Sequence, residues 1–267
     1  MNEQSTRMLN FSYKMQLAFS DRVQNHRFTL RMLPQSDERQ RITRCELYVQ
    51  PDCELHEDYD SFGNRYAHGE IQKPHERFEV ELSGQAQVSM QTPAAAGGPP
   101  GVIAPYRFPS QYTRAGDALR RYYENNKRRQ GESSLGYAER LLHLLYQDIE
   151  YVQGVTDIHT TAEEAIAMRS GVCQDYAHIM LSLCRIADIP SRYVVGMMSG
   201  EGYSHAWVEI CAEGAWYGMD PTNDRPVDDG YVKISHGRDY QDCIVNRGVF
   251  NGYVTQTQNI SVVVQDK

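Results

Sequence analysis

Residues 171–188 read Gly-Val-Cys-Gln-Asp-Tyr-Ala-His-Ile-Met-Leu-Ser-Leu-Cys-Arg-Ile-Ala-Asp, and this stretch decides the class of fold. Its apolar residues recur at the three- and four-residue spacing of an amphipathic helix, namely Ala177, Met180, Leu181, Cys184 and Ala187. Pro190 follows, and a proline disfavours the helical conformation in the residue before it. The sequence therefore predicts a buried helix that begins near Cys173 and ends near Asp188.

Helical patterns precede this segment and strand patterns follow it. Helices are predicted over 116–129 and 133–149, and from Thr161 to about Arg169, where Glu164 completes a capping-box pattern. Alternating residues predict strands over 191–198, 204–211 and 215–220, and a last strand over 260–264. This mixture indicates an α+β domain, which we place at residues 102–267.

The first part of the chain has a different pattern. Between residues 7 and 90, polar and apolar residues alternate in short runs such as 28–33 and 78–82, separated by turn signals such as 60–64. This pattern predicts an antiparallel, β-sandwich-like domain. Residues 92–101, Thr-Pro-Ala-Ala-Ala-Gly-Gly-Pro-Pro-Gly, favour neither helix nor strand. We therefore place a linker there and a first domain at residues 1–101.

Composition narrows the class of protein. The chain has 267 residues, a net charge of -8 and 40% hydrophobic residues, which is typical of a soluble globular protein. The acidic balance argues against a nucleic-acid-binding protein, which would present a basic face. No apolar run has the length of a signal-peptide core or a membrane span. We expect a cytoplasmic protein with no membrane association.

The cysteines favour free thiols over metal ligands. They stand at positions 45, 53, 173, 184, 211 and 243, and no two form the C-x-x-C pair of a zinc site. His178 follows Cys173 on the predicted helix, but the spacing of these two residues and Cys184 is not that of a chelate. Asp175 lies in the first helical turn, where a carboxylate caps the helix. We predict no metal and no cofactor.

Cys173 is the predicted nucleophile. A cysteine reacts as its thiolate, and a helix N-terminus or a neighbouring imidazolium favours that form. We expect Gly171, two residues earlier, to permit a tight turn and the close approach of a substrate. First-turn N–H groups have no partner within the helix, so the Cys173 N–H can serve as an oxyanion donor. The alternative is a buried helix cysteine without a chemical role.

His205 is the predicted base. It lies near the start of the strand Ser-His-Ala-Trp-Val-Glu-Ile-Cys at 204–211, on the face opposite Ala206, Val208 and Ile210. Trp207 shares the face of His205 and can shield the imidazole. The alternative is a strand histidine with no catalytic part.

Asp220 is the predicted orienting carboxylate. The loop 212–214 contains Gly214, and a tight hairpin there makes the numbers of facing residues sum to about 426. Asp220 is then within one residue of the position opposite His205. From there it can accept the imidazole Nδ1–H and stabilise the imidazolium. The alternative is a turn residue before Pro221.

The local contexts of these three residues resemble one known family. Gly-Val-Cys-Gln-Asp-Tyr-Ala-His at 171–178, Ile-Pro-Ser-Arg-Tyr-Val-Val-Gly at 189–196, Ser-His-Ala-Trp-Val-Glu at 204–209 and Met-Asp-Pro-Thr-Asn at 219–223 together are similar to the transglutaminase-like superfamily, whose fold is papain-like. The match is strongest over about 160–225 and resembles the bacterial branch. The β-rich first domain and residues 237–242 resemble that branch as well.

The resemblance implies a catalytic triad and a covalent mechanism. It makes Cys173 the nucleophile, His205 the base and Asp220 the orienter of a cysteine protease or amidase acting on a peptide or protein substrate. One departure is Gln174, because animal transglutaminases have tryptophan after the catalytic cysteine. The alternatives are a protein-glutamine transamidase and an inactive peptide-binding module.

Overall fold

The structure is a computed structural model, and it describes residues 6–89, 94–95 and 103–267. Most of the predicted linker lies outside these residues. Within it, Ala94–Ala95 forms a two-residue strand that pairs with residues 215 and 216 of the second domain. This short pairing differs from the expectation of a segment without strand, because a neighbouring strand edge supplies the hydrogen bonds that the local sequence does not favour.

The structure contains sixteen described strands and four α-helices. The strands are β1 Thr6–Leu30, β2 Gln40–Gln50, β3 Leu55–Tyr59, β4 Arg65–Ile71, β5 His75–Ser89, β6 Ala94–Ala95, β7 Glu150–Tyr151, β8 Ser170–Gly171, β9 Ser191–Met198, β10 Gly200–Gly202, β11 His205–Ala212, β12 Ala215–Asp220, β13 Arg225–Pro226, β14 Tyr231–Gly237, β15 Asn246–Asn251 and β16 Gln256–Asp266. The helices are α1 Asp117–Asn125, α2 Ser134–Asp148, α3 Ala162–Met168 and α4 Cys173–Ile186.

The first domain is built around β1, a strand of 25 residues. Its first half pairs with β5 and β16, and its second half pairs with β4 and β15. Asn25, with a φ of 51°, lies between the two halves. A break in the extended backbone there lets one strand serve two differently oriented parts of a sheet. The predicted antiparallel first domain is confirmed and takes the form of a curled sheet.

The second domain packs helices on an antiparallel sheet with the order β13-β12-β11-β9-β14. Helix α4 is buried along almost its whole length between this sheet and the other helices. The inner face of β11 contributes Ala206, Val208 and Ile210 to that core, as predicted. The predicted α+β class and the extents of α4, β9 and β12 are confirmed.

The two domains are joined by apolar contacts and by strand pairing. Met197, Val232 and Ile234 of the second sheet pack into the apolar cluster of the curled sheet. Strands β15 and β16 come from the end of the chain and pair with β1. The second sheet therefore lies between the helices and the curled sheet. The division at residue 101 stays a prediction, since sequential segments on both sides of it build the first sheet.

Two side-chain amides complete the outer edge of β14. Lys233 N–H donates to Gln40 Oε1 and Gln40 Nε2 donates to Lys233 O, both at 2.8 Å. In the same way, His236 N–H donates to Asn64 Oδ1 at 2.8 Å, and Asn64 Nδ2 donates to the His236 carbonyl at 2.7 Å. Both amides are buried, so they replace a neighbouring strand for β14. Strand β14 has no counterpart in the sequence-based prediction.

The helices are short or amphipathic. Over the described parts of the chain, no helix combines the length and apolar character that crossing a bilayer requires.

Candidate active site

Cys173 opens α4 and is partly exposed. The turn before it is held by Asp175, whose Oδ2 accepts the Val172 N–H at 2.8 Å and the Thr156 hydroxyl at 2.7 Å. The first helical hydrogen bonds run from Asp175 and Tyr176 to the carbonyl of Val172. The Cys173 N–H therefore belongs to the first-turn donors that have no acceptor within the helix. Asp175 acts as the helix cap that its position predicts.

Gly171 serves a different purpose from the one predicted. Its backbone does not adopt a positive φ. A Cβ at this position would lie 2.5 Å from Oδ2 and 2.6 Å from Cβ of Asp175. The glycine is required because the capping carboxylate packs directly against its Cα. The structure therefore gives Gly171 a packing role that the sequence did not predict, and the close approach of a substrate there stays a prediction.

The hairpin that joins β11 to β12 sets the relation of His205 to Asp220. Ala212 pairs with Ala215, so the loop has two residues, Glu213 and Gly214, with φ values of 52° and 77°. Two positive φ values are typical of a type I′ turn. The predicted three-residue loop and its register are therefore wrong by one residue. In the observed register, the side chains of His205 and Asp220 lie on the same face of the hairpin. A shift of one residue would move one of them to the opposite face.

His205 and Asp220 are joined by a short hydrogen bond. The imidazole Nε2 lies 2.7 Å from Asp220 Oδ2, and the side chains are 12% and 0% exposed. The prediction named Nδ1 as the nitrogen that faces the carboxylate, and this is corrected. A carboxylate only accepts hydrogen bonds, so Nε2 carries the proton and Nδ1 is left to face the thiol.

Cys173 is a neighbour of His205 that influences its pKa through a hydrogen bond and through charge. Burial lowers the pKa of His205, but the hydrogen bonds and charges of Asp220 and Cys173 outweigh it and raise the pKa to about 10. These interactions favour the imidazolium form of His205. The structure thus brings together all three residues that the sequence singles out, and their catalytic roles remain a proposal.

Three further residues hold Asp220, and sequence reasoning missed their part. Asn223 Nδ2 and the Tyr231 hydroxyl each lie 2.7 Å from Asp220 Oδ2, while Thr222 N–H donates to Oδ1 at 3.0 Å. Burial raises the pKa of Asp220, but the hydrogen bond and charge of His205, together with the hydrogen bonds of Asn223 and Tyr231, outweigh it and hold the pKa below its ordinary value. Asn223 follows Asp220 in sequence and could have been found there. Tyr231 comes from β14 and carried no local signal.

The face of His205 is walled by aromatic rings. Trp207 is buried, and its ring lies 6.4 Å from the imidazole at an interplanar angle of 30°. The Tyr231 ring lies 6.2 Å away. Gly196, the cross-strand partner of His205, leaves the space that the Trp207 indole fills. Shielding by Trp207 agrees with the sequence-based expectation.

His178 lies apart from this cluster and inside the core. Its Nε2 accepts the Tyr240 N–H at 3.1 Å, and its ring packs against Tyr112 and Tyr193. Burial is the main reason that the pKa of His178 falls to about 3, so the ring is neutral. It acts as a packed acceptor for the backbone of the 240–243 turn.

The five cysteines outside this cluster lie in environments that disfavour a thiolate. Burial raises the pKa of each of the other five cysteines, namely Cys45, Cys53, Cys184, Cys211 and Cys243. Those residues lack an imidazolium neighbour among the contacts that shift their pKa. Burial therefore disfavours the reactive thiolate form at these five positions.

Comparisons with known proteins point in one direction. Residues 121–221 match the family described as the transglutaminase-like superfamily, and residues 9–87 match the bacterial transglutaminase-like N-terminal region. An uncharacterized protein of Mycobacterium leprae is 26% identical over 245 residues, which cover 83% of this chain and 85% of that protein. An uncharacterized protein of Mycobacterium tuberculosis is 27% identical over 253 residues, covering 82% and 79%.

A solved structure shares the whole architecture. The protein from Cytophaga hutchinsonii described as a "Putative Cysteine Protease" superposes with a TM-score of 0.82 at 24% identity, over 98% of this chain and 91% of that one. At 24% identity, this structural similarity shows a shared fold and nothing further. The arrangement of curled sheet, helices and second sheet is therefore common to both proteins.

Proposed function

Because this chain carries a transglutaminase-like superfamily core behind a bacterial transglutaminase-like N-terminal region, we propose that it is a thiol hydrolase. It cleaves amide or peptide bonds through an acyl-enzyme at Cys173. The observation that supports this most directly is the position of His205 between a buried carboxylate and the Cys173 thiol. Nucleophile, base and orienter are the three parts that covalent acyl transfer requires.

The first half of the reaction forms a thioester. The Cys173 proton resides on His205, and the thiolate attacks the substrate carbonyl carbon to give a tetrahedral oxyanion. The Cys173 N–H donates to that oxygen. The C–N bond then breaks as the imidazolium gives its proton to the leaving amine, and the acyl group remains on sulfur.

The second half releases the acyl group. A water molecule gives a proton to His205 and attacks the thioester carbon, the C–S bond breaks, and a carboxylic acid leaves. Asp220 keeps the imidazole oriented and its charge balanced in both halves. An amine in place of water gives transamidation through the same intermediate.

The nucleophile is tested by alkylation with iodoacetamide across pH, followed by mass spectrometry of the modified peptides. We expect Cys173 to react far faster than a free thiol at pH 6, and His205→Ala to remove the difference. Cys211→Ala is the matched control, since Cys211 is another partly exposed cysteine. If Cys173 reacts no faster than an ordinary thiol, the proposal fails and an inactive peptide-binding module is the better description.

The acyl acceptor is tested with a glutamine-containing peptide and a fluorescent primary amine, beside a panel of peptide amides. We expect new carboxyl groups and free amine products, all lost in Cys173→Ala. Incorporation of the fluorescent amine without matching hydrolysis would overturn the hydrolase and establish a transamidase.

A further inference from the structure

A buried tyrosine connects the Asp220 carboxylate to a surface arginine. The Tyr231 hydroxyl lies 2.7 Å from Asp220 Oδ2 and 3.1 Å from Arg225 Nε. The Arg225 guanidinium also lies over the Tyr231 ring, 5.2 Å from its centre. Asp228 pairs with the outer side of Arg225 at 3.4 Å. This chain of contacts leads from His205 to solvent.

The direction of these hydrogen bonds follows from the chemistry of the groups. A guanidinium has only donors, so Arg225 must donate to the tyrosine oxygen. The hydroxyl has a single proton, and a carboxylate has only acceptors, so that proton must lie on the bond to Asp220. Every bond from Arg225 to His205 therefore has one possible polarity.

The Tyr231 ring has little freedom to move. It is buried, and it meets the Trp207 indole edge to face at 5.4 Å. Its backbone belongs to β14, which pairs with β9 at Met198. A rigid strand and a fixed ring therefore hold the hydroxyl at one point beside Asp220.

We propose that Tyr231, supported by Arg225, is a positioning residue of the active site that holds the Asp220 carboxylate in the orientation that His205 requires. This inference rests on the proposed thiol chemistry of Cys173. Like His205, Tyr231 reaches the Asp220 carboxylate from a different strand, whereas Asn223 and Thr222 belong to its own turn. Losing the hydroxyl leaves the Asp220 carboxylate with the hydrogen bonds of His205 and of its own turn.

The charged and titratable groups around His205 come from five segments. Cys173 belongs to α4, Asp220 to β12, Arg225 to β13 and Tyr231 to β14, and Asp228 lies in the loop between the last two. A carboxylate that turns away from His205 stabilises the imidazolium less. The thiolate–imidazolium pair then forms at a higher pH.

The test compares Tyr231→Phe, Arg225→Gln, Arg225→Lys and the double variant Tyr231→Phe/Arg225→Gln. Tyr217→Phe on β12 is the matched control, since Tyr217 packs on the helical side of the sheet. The readouts are the pH of half-maximal Cys173 alkylation by iodoacetamide, and kcat and KM on a peptide amide that the wild type cleaves.

Tyr231→Phe should move the alkylation midpoint upward by about one pH unit, a tenfold loss of the reactive pair. It should lower kcat roughly 10- to 100-fold, the range for one hydrogen bond to a charged group, with KM little changed. Arg225→Gln should shift the midpoint and lower kcat less than Tyr231→Phe does. The double variant should show no larger effect than Tyr231→Phe, and Arg225→Lys should have the wild-type midpoint.

Two results overturn the inference while the proposed function stands. One is an alkylation midpoint in Tyr231→Phe that equals the wild-type midpoint. The other is a midpoint at a lower pH than that of the wild type, which would mean that the hydroxyl only withdraws charge from Asp220. Additive losses in the double variant would show that Arg225 does not act through Tyr231, and the support assigned to Arg225 would be wrong. If wild-type Cys173 itself reacts like an ordinary thiol, it is the proposed function that fails.

Discussion

Replacing Asn64 by alanine should weaken the junction between the domains. The side chain is 0% exposed and lies in the turn after Asp60, where it bonds both the N–H and the carbonyl of His236. Alanine removes both hydrogen bonds and leaves two backbone groups of β14 without partners. It leaves the Asp60–Asn64 backbone turn in place.

The magnitude follows from the cost of the unpaired groups. An unsatisfied buried donor or acceptor costs about 1–3 kcal/mol, so two of them would cost about 2–6 kcal/mol. Asn64 and His236 also line a cavity of about 790 Å³ that opens to solvent. Water there can bond part of the exposed backbone, which favours the lower end of the range. We expect the free energy of unfolding to fall by about 2–3 kcal/mol.

Urea denaturation measures this loss. Both tryptophans, Trp207 and Trp216, lie in the second sheet, so their fluorescence reports on it while circular dichroism reports on the whole chain. Asn259→Ala on the exposed face of β16 is the control and should change stability by less than about 0.5 kcal/mol. Asn64→Asp should be worse than alanine, since it buries a charge beside Asp60. An Asn64→Ala protein as stable as the control would refute the role given to this amide.

Three other outcomes are expected. Gly171→Ala places a Cβ 2.5 Å from Asp175 Oδ2 and should cost about 1–3 kcal/mol in urea denaturation and slow the alkylation of Cys173; wild-type values for both would contradict the packing argument. The pKa of His205 is raised to about 10, so the stability that its charge provides is complete below pH 6.5 and is lost as the pH rises through about 10. The difference in unfolding free energy between wild type and His205→Gln should therefore shrink steadily as the pH rises from 6.5 to about 10, and a constant difference would argue against a charged imidazole. His26 lies 3.2 Å from His75 in a buried aromatic cluster, and burial, aided by the charge of His75, lowers the pKa of His26 to about 4. Since the unfolded chain binds that proton from pH 6.5 downward, stability should fall by up to about 3 kcal/mol between pH 6.5 and 4, and His26→Phe should flatten this decline. An equal decline in His26→Phe would contradict this assignment.

The candidate site shows how far local patterns reach. The extents of α4, β9 and β12 follow from residues a few positions apart, and so does the capping box of Thr161 and Glu164. His205 and Asp220 belong to one hairpin, so their proximity was also predictable. Their register was not, because it depends on whether the loop has two or three residues, and a single glycine permits both.

Local sequence patterns were enough to predict the α+β class, the cysteine at the start of a buried helix and the pairing of a histidine with a carboxylate, because near neighbours along the chain control helical and strand periodicity. The folded structure was needed to learn which imidazole nitrogen faces Asp220, that Tyr231 supports this carboxylate, and that Gln40 and Asn64 close the edge of β14. Gln40 and Asn64 act across 193 and 172 residues of sequence, and the return of β16 to pair with β1 spans almost the whole chain. Contacts at such separations are selected by the burial and hydrogen bonding of the complete fold, for which no short stretch of sequence has a pattern.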